Sequence, residues 1–277
     1  MKRQRLTITL KQEILRLLDN YIDGSRIRNR SHAIEYILTK QLFPSSIKVL
    51  ILAGGQGVKL RPITYELPKA LIPIHKKPLL EHTLNQLAKN NLKEIILSVG
   101  YLGDKIEEYF QDGSKYGVNI KYVRDPKKSQ GTAPVLLNTK SYLEDKTFFV
   151  IHGDVLAHID YLDMLEFHKK HGGLATVALT SVDRPKNWGV AYVQGNKVVE
   201  FKEKPASKVS SHLINAGVYI FNTEIFNHLQ KKDKMLSRDV LPGIAEKGEL
   251  YAYIFKGQWH DVGSTQAYTK ALKQWRL

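Results

Sequence analysis

Ile47-Lys48-Val49-Leu50-Ile51-Leu52-Ala53-Gly54-Gly55-Gln56-Gly57-Val58-Lys59-Leu60-Arg61-Pro62 is the stretch on which the fold turns. Its first six residues form an apolar run that reads as a buried strand. The glycines that follow let backbone N–H groups approach a phosphate chain with no Cβ in the way. Lys59, Arg61 and, after Pro68, Lys69 bring cationic side chains toward the same loop. The pattern suits a nucleoside triphosphate. It begins only after residue 46, so something else occupies the first 46 residues.

Downstream of the loop, strand-like runs at 94–99, 119–123 and 147–151 alternate with helical spacing at 79–90 and 105–110. Leu80, Leu84 and Leu87 share one face of the first helix. This alternation predicts a largely parallel, doubly wound sheet. Beyond Leu174 the rhythm is strand-rich, with runs at 174–180, 190–193, 197–201 and 214–221. An attached, partly antiparallel region covering the site is expected there, followed by a closing helix over 265–275. The expected fold class is α/β: a Rossmann-like, doubly wound mixed sheet over residues 47–277, after a small β-α-α module over residues 1–44.

Upstream, Arg5-Leu6-Thr7-Ile8-Thr9-Leu10 alternates polar and apolar residues and reads as a half-buried strand. Ile14, Leu17, Leu18 and Ile22 fall at helical spacing, and Asp23-Gly24-Ser25 breaks that helix. Ser31 is the expected N-cap of a second helix carrying Ala33, Ile34, Ile37 and Leu38. Phe43-Pro44-Ser45-Ser46 marks the boundary. So short a module buries little on its own, and a partner is needed. Its pattern resembles the ribbon-helix-helix DNA-binding family. The resemblance implies a homodimer whose paired strands enter the major groove of double-stranded DNA. Arg5, Thr7 and Thr9 would face bases, and the second helix's start near Ser31 would meet a phosphate. A module that only dimerises is the other reading.

The chain is 277 residues long, with 42 Lys+Arg against 27 Asp+Glu and a formal net charge of +15. Both parts are basic, which suits anionic ligands: nucleic acid for the first and phosphates for the second. The absence of cysteine excludes disulfides and thiolate metal sites and fits a cytoplasmic location. No apolar run approaches the roughly 20 residues of a membrane span, and no secretory leader is expected after the basic start, so no membrane partner is expected.

Two carboxylates carry the remaining chemistry. The strand at 147–151 ends in His152-Gly153-Asp154, and an acidic residue there sits where open α/β sheets bind ligands. A second lies in Gln258-Trp259-His260-Asp261-Val262-Gly263-Ser264. Both oxygen donors suit Mg²⁺. With the glycine loop, these belong to an ordered set: Leu60-Arg61-Pro62-Ile63-Thr64, Pro68-Lys69, Gly131-Thr132-Ala133, Gly153-Asp154, Glu203-Lys204-Pro205, Asn215-Ala216-Gly217 and Trp259 with Asp261-Val262-Gly263. Over residues 47–275 the chain resembles the sugar-1-phosphate nucleotidyltransferases.

That resemblance implies transfer of a nucleotidyl group from a nucleoside triphosphate to a sugar 1-phosphate, with release of pyrophosphate. Positioning and charge neutralisation then dominate catalysis. The resemblance implies that Asp154 and Asp261 hold Mg²⁺ and that Lys69 stabilises the phosphates. Lys204 would hold the sugar 1-phosphate and Glu203 accept sugar hydroxyls, with Gly189 and Asn215 lining that pocket. Ala53, Gly54, Gly55, Gly57, Gly131 and Thr132 would approach the nucleotide. Lys59 stands where the family usually has arginine, so a point charge replaces a planar fork.

Asp125 lies before Gly131, where the family reads the base. A carboxylate accepts two hydrogen bonds from guanine's N1–H and N2–H₂ edge, which favours GTP and with it mannose 1-phosphate. Gln130 is the competing reader, for uracil or thymine. His168 and His171 are expected on an exposed helix face, and His152 and His260 beside the two Mg²⁺ ligands. With the chain stopping at Leu277, no hexapeptide-repeat tail is expected. The other functional class left open is a DNA-binding regulator whose transferase-like domain senses nucleotide sugars; Lys59 and the N-terminal module motivate it.

Overall fold

The computed structural model describes residues 5–24, 27–42, 47–125, 131–143, 147–207 and 209–276. The chain divides into two compact units, residues 1–44 and 45–277. The cluster at 43–46 and the stretch Lys127-Lys128-Ser129-Gln130 lie outside the described residues, and so does Ser25.

In the first unit, α1 (Gln12–Asp19) and α2 (Arg30–Leu42) pack around buried Leu18, Ile27 and Ala33. Arg30 donates two hydrogen bonds to the Asp19 carboxylate, at 2.7 and 2.8 Å, tying one helix to the other. Residues 5–10 carry no strand in this single chain. An isolated extended segment has no ladder to complete, and its backbone groups stay with solvent. Leu6 is 77% and Leu17 62% exposed, so the apolar spacing of this unit is only partly covered. The expected cap also needs correction. The helix starts one residue before Ser31, and the Asn29 side chain accepts from His32 N at 2.9 Å, which is the capping bond.

In the second unit β1 (Val49–Leu52) runs into the glycine loop, a one-turn helix α3 (Ile63–Glu66) and the short hairpin of β2 (Pro73–Ile74) and β3 (Lys77–Pro78). Then come α4 (Leu79–Lys89), β4 (Glu94–Val99), α5 (Gly103–Phe110), β5 (Asn119–Arg124) and α6 (Thr132–Asn138). β6 (Thr147–His152), β7 (Val155–Ala157) and α7 (Tyr161–His171) follow. Next are β8 (Ala175–Ser181), β9 (Gly189–Gln194), β10 (Lys197–Glu203) and β11 (Leu213–Asn222). α8 (Leu241–Glu246), β12 (Leu250–Ile254), β13 (Trp259–Asp261) and α9 (Thr265–Gln274) end the unit.

Among the described residues the main sheet has nine strands in the order β5-β4-β1-β6-β11-β8-β12-β10-β9. β5, β4, β1 and β6 are parallel, and β11 is antiparallel to both β6 and β8. The strand-rich half is therefore not a separate attachment: it continues the same sheet through β11. Side chains alternate across β1, with Val49 and Ile51 in one core cluster and Leu50 in the other, so both faces are covered. A third cluster, with Leu156, Val262, Ala271 and Trp275, seats α9.

The expected exposed histidine face is a correction as well. His168 is buried, its ring paired to the Thr176 hydroxyl at 2.8 Å and to Asn222 Oδ1 at 3.1 Å. The inward face of α7 packs on β8, and a neutral imidazole buried there finds both partners.

Candidate functional site

The sheet order reverses at β1. From there the chain moves out through β4 and β5, then returns to β6 on the other side. Open α/β sheets bind ligands in the crevice beyond the carboxyl ends of the strands at such a reversal. Three loops meet there. Ala53 N donates to Ser98 O at 2.8 Å, Gly153 N to Leu52 O at 2.9 Å, and Tyr101 N to Gly54 O at 3.2 Å.

On the β4–β5 side the crevice holds Asp125. Its backbone N donates to Val99 O at 2.8 Å, and its carboxylate accepts from the Ser98 hydroxyl. The carboxylate lies against Gly54 and Gly100. A Cβ at Gly54 would stand 2.7 Å from Asp125 Cγ, and one at Gly100 would stand 3.0 Å from Oδ2. Burial pushes the Asp125 carboxyl above its usual range, opposed by the Ser98 bond. Ser98 and Gly100 were not singled out from sequence. The signal available was their place at the carboxyl end of the second parallel strand.

Gly57 adopts a left-handed conformation, φ +61°, and its carbonyl accepts from the buried Thr64 hydroxyl at 2.8 Å. That bond folds the loop back and turns it toward Lys69. Gly55 is exposed with open space around it. Lys59 is also exposed; its carbonyl accepts from the Thr265 hydroxyl at 3.3 Å, which links the loop to the start of α9.

On the β6 side, three predicted residues converge. Lys69 makes an ion pair with Asp154, just beyond β6. β13 runs antiparallel to β7 with Asp261 opposite Val155, and Val262 N donates to Asp154 O at 2.9 Å, which brings the second carboxylate alongside. Trp188 Nε1 donates to Asp261 Oδ2 at 3.0 Å. Burial raises the Asp261 carboxyl above its usual range, and the neighbouring Asp154 charge adds to this. For Asp154 burial also acts upward, but the Lys69 ammonium outweighs it and holds the carboxyl below its usual range. Burial lowers the His152 imidazole below its usual pKa, against the Asp154 and Asp261 charges, and its Nε2 lies 3.4 Å from the Tyr219 hydroxyl. His260 packs edge-on to Trp275, 6.2 Å between ring centroids.

The remaining candidates sit on β9, β10 and β11. Gly189 faces Glu203 across the β9–β10 ladder, where a Cβ would come 2.6 Å from the Phe201 ring. Lys204 follows with φ +42°, its N–H donating to Trp188 O at 3.1 Å and its ammonium 3.7 Å from Glu203. Asn215 is buried, and both ends of its amide are engaged within the fold. Nδ2 donates to the Tyr219 hydroxyl at 2.7 Å, and Oδ1 accepts from Gly217 N at 2.9 Å. Its geometry supports the kink of β11 at Gly217 rather than an open hand to a ligand. Thr132 and Ala133 likewise clasp the 234–236 segment: the Thr132 hydroxyl accepts from Leu236 N at 2.8 Å, and Ala133 N donates to Lys234 O at 3.0 Å, while a Cβ on Gly131 would collide with Lys234 O. In the first unit Arg5, Thr7, Thr9 and Ser31 are all exposed.

A family model described as nucleotidyl transferase matches residues 48–276. The chain is 36% identical over 222 residues to a mannose-1-phosphate guanylyltransferase catalytic subunit beta from Danio rerio, covering 78% of this chain and 61% of that one. It is 34% identical over 230 residues to the corresponding subunit from Dictyostelium discoideum, covering 82% and 64%. It thus spans somewhat under two thirds of the length of these curated relatives. The crystal structure of a Bacillus anthracis protein assigned as a glucose-1-phosphate thymidylyltransferase superposes with a TM-score of 0.74 at 27% identity, covering 82% of this chain and 94% of that one. A UDP-glucose pyrophosphorylase structure shares the fold at a TM-score of 0.70 and 24% identity, covering 82% and 97%.

Proposed function

The chain belongs to the nucleotidyl transferase family, and from that premise we propose that it transfers a nucleotidyl group from GTP to mannose 1-phosphate, forming a nucleotide sugar and pyrophosphate. The observation that carries the reading is the meeting of Lys69, Asp154 and Asp261 at the carboxyl end of the sheet reversal. In the reaction an oxygen of the sugar phosphate bonds to the α-phosphorus. The bond from that phosphorus to the β-phosphate's bridging oxygen breaks, and pyrophosphate leaves with the electron pair. No covalent intermediate on the protein is required, and the protein's part is to place two anions in line and balance their charge.

Lys69 supplies positive charge beside the phosphates, and Lys204 steers the sugar phosphate from the opposite rim. Asp154 and Asp261 form a hard-oxygen donor pair, and the Lys69 ammonium seated on Asp154 marks a place built for positive charge. Mg²⁺ commonly binds through one or two carboxylates plus substrate phosphates, so the pair fits it. When bound there it would neutralise charge at the α-phosphate. Asp125 is an acceptor beside the glycine loop and suits guanine's paired donors. The names of the curated relatives agree with that choice of base and sugar.

For the first unit we propose a homodimer formed through residues 5–10, with Arg5, Thr7 and Thr9 offered to double-stranded DNA. The exposed alternation of that segment supports it. The protein's proposed location is the cytoplasm. The test of the catalytic reading is pyrophosphate release with Mg²⁺, across GTP, UTP, dTTP, CTP and ATP and with mannose 1-phosphate or glucose 1-phosphate. Release with GTP and mannose 1-phosphate is expected. No release from any pair, with nucleotide still bound, overturns the catalytic reading and favours a nucleotide-sugar sensor.

A further inference from the structure

Trp188 precedes Gly189 in the run Trp188-Gly189-Val190 and was given no role of its own from the sequence, yet it touches both halves of the site. It follows a short turn at Pro185–Asn187, and its backbone N donates to Pro185 O at 3.1 Å. Its carbonyl accepts from Lys204 N at 3.1 Å, at the one residue of that rim with a left-handed backbone. Its ring stands edge-on to Trp259, with centroids 5.6 Å apart and planes at 76°. Trp259 is itself fixed by a 3.0 Å bond from Nε1 to Ala216 O. The Trp188 indole is therefore held by its own backbone and by a ring that cannot turn away. The N–H so fixed points at Asp261 Oδ2, 3.0 Å away.

We propose that Trp188 is a positioning residue: its indole N–H holds the Asp261 carboxylate in the orientation that receives a divalent cation, while its carbonyl sets the Lys204 turn. A free aspartate can rotate about its terminal torsion and present either oxygen. A donor on Oδ2 removes that freedom and distinguishes the two oxygens. The other oxygen, Oδ1, faces Gly263, where a Cβ would stand 2.9 Å from it. The glycine thus leaves Oδ1 the room that a side chain would take. Indole N–H is donor only, so it cannot compete with the carboxylate for a cation. Groups that orient a metal's ligands commonly cost 10–100-fold in metal affinity or activity when removed.

This inference rests on the assignment of Asp154 and Asp261 as cation ligands, and its test separates the two. The full chain is titrated with Mn²⁺ alone, free Mn²⁺ being read by electron paramagnetic resonance. Steady-state pyrophosphate release with GTP and mannose 1-phosphate follows. Trp188→Phe keeps a ring against Trp259 and loses the N–H. Benzothienylalanine at position 188 keeps the whole shape and replaces N–H by sulfur, so it serves if the phenylalanine variant folds poorly. Both are expected to weaken Mn²⁺ binding about tenfold and to lower kcat, with KM for mannose 1-phosphate changing less.

If Asp261→Asn abolishes Mn²⁺ binding while both Trp188 variants retain it and their kcat, the positioning role is overturned and the cation site stands. If the variants raise only KM for the sugar phosphate, Trp188 is a pocket wall, which also overturns the role. If Asp261→Asn binds Mn²⁺ as the wild type does, the cation assignment itself falls and the role of Trp188 falls with it.

Discussion

Gly54→Ala should act through Asp125, and the structure gives the size of the effect. The added methyl would stand 2.7 Å from Asp125 Cγ and 3.1 Å from Gly100 N. The methyl would overlap Asp125 Oδ2 outright, and carbon atoms pack at about 3.5–4.0 Å, so the carboxylate must swing away by at least about 1 Å. The Ser98 hydroxyl, bonded to that carboxylate, must move with it or lose the bond. Overpacking of this kind costs about 1–3 kcal/mol. In an Asp125→Ala background the obstructing carboxylate is gone, and the same substitution should cost at least about 1 kcal/mol less, as expected for residues in contact. All three tryptophans, Trp188, Trp259 and Trp275, lie in the second unit, so urea unfolding followed by tryptophan fluorescence reports on that unit. For activity, a displacement of about 1 Å in a positioned group can cost on the order of 10²-fold, so kcat/KM with GTP should fall that far in Gly54→Ala alone. Additive stability changes across the four proteins would refute the argument, because they would mean that Gly54 and Asp125 do not compete for one space.

Other consequences follow from the same geometry. Asp154→Asn should lower pyrophosphate release by at least about 10²-fold, and turnover at the wild-type rate would remove Asp154 from the chemistry. Burial holds the His168 imidazole below its usual pKa. A depressed pKa contributes stability that is full above about 6.5 and is lost as pH falls through the folded value. The urea midpoint should therefore drop on acidification below pH 6.5, and His168→Gln should flatten that drop; an equally steep drop in the variant would contradict the linkage. In the first unit, Arg5→Ala should weaken duplex binding and reduce its salt slope by about one. No salt-dependent duplex binding by the intact protein at low ionic strength would leave that unit without a DNA role. Deleting residues 1–44 should give a smaller assembly by sedimentation, and an unchanged one would place the dimer contact elsewhere.

What the sequence made legible was local. β1 and its glycine loop, the alternation through β6, and the strand bounds near 94–99 and 119–124 all follow from periodicity, which acts over a few residues. Asp154 was legible because it follows the apolar run of β6, whereas Asp261, at the end of β13 with no apolar run before it, entered only through the ordered motifs that carry the resemblance. Long-range pairing was not legible. Nothing near residue 222 says that Asn222 accepts from Thr147 at 2.8 Å while it partners His168, so His168 looked like a surface residue. β12 and β13 were missed because their pairing partners, β8 and β7, lie far back in the chain.

The same limit explains the site. Asn215 and Thr132 fit ligand motifs by type and spacing, yet their polar atoms close the backbone of β11 and the 234–236 segment. Trp188, beside the pocket glycine Gly189, carried no role from the sequence, yet its indole reaches Asp261, 73 residues on. A polar side chain in a cleft has to satisfy the fold's own donors and acceptors first. Those that remain for a ligand are the ones whose partners in the free protein are charges that a ligand can replace. Lys69 on Asp154 is such a pair, since each partner can exchange the other for a phosphate or a cation with no loss of charge balance. Asn215 bound to Gly217 N is not, because releasing it would leave a buried amide unpaired.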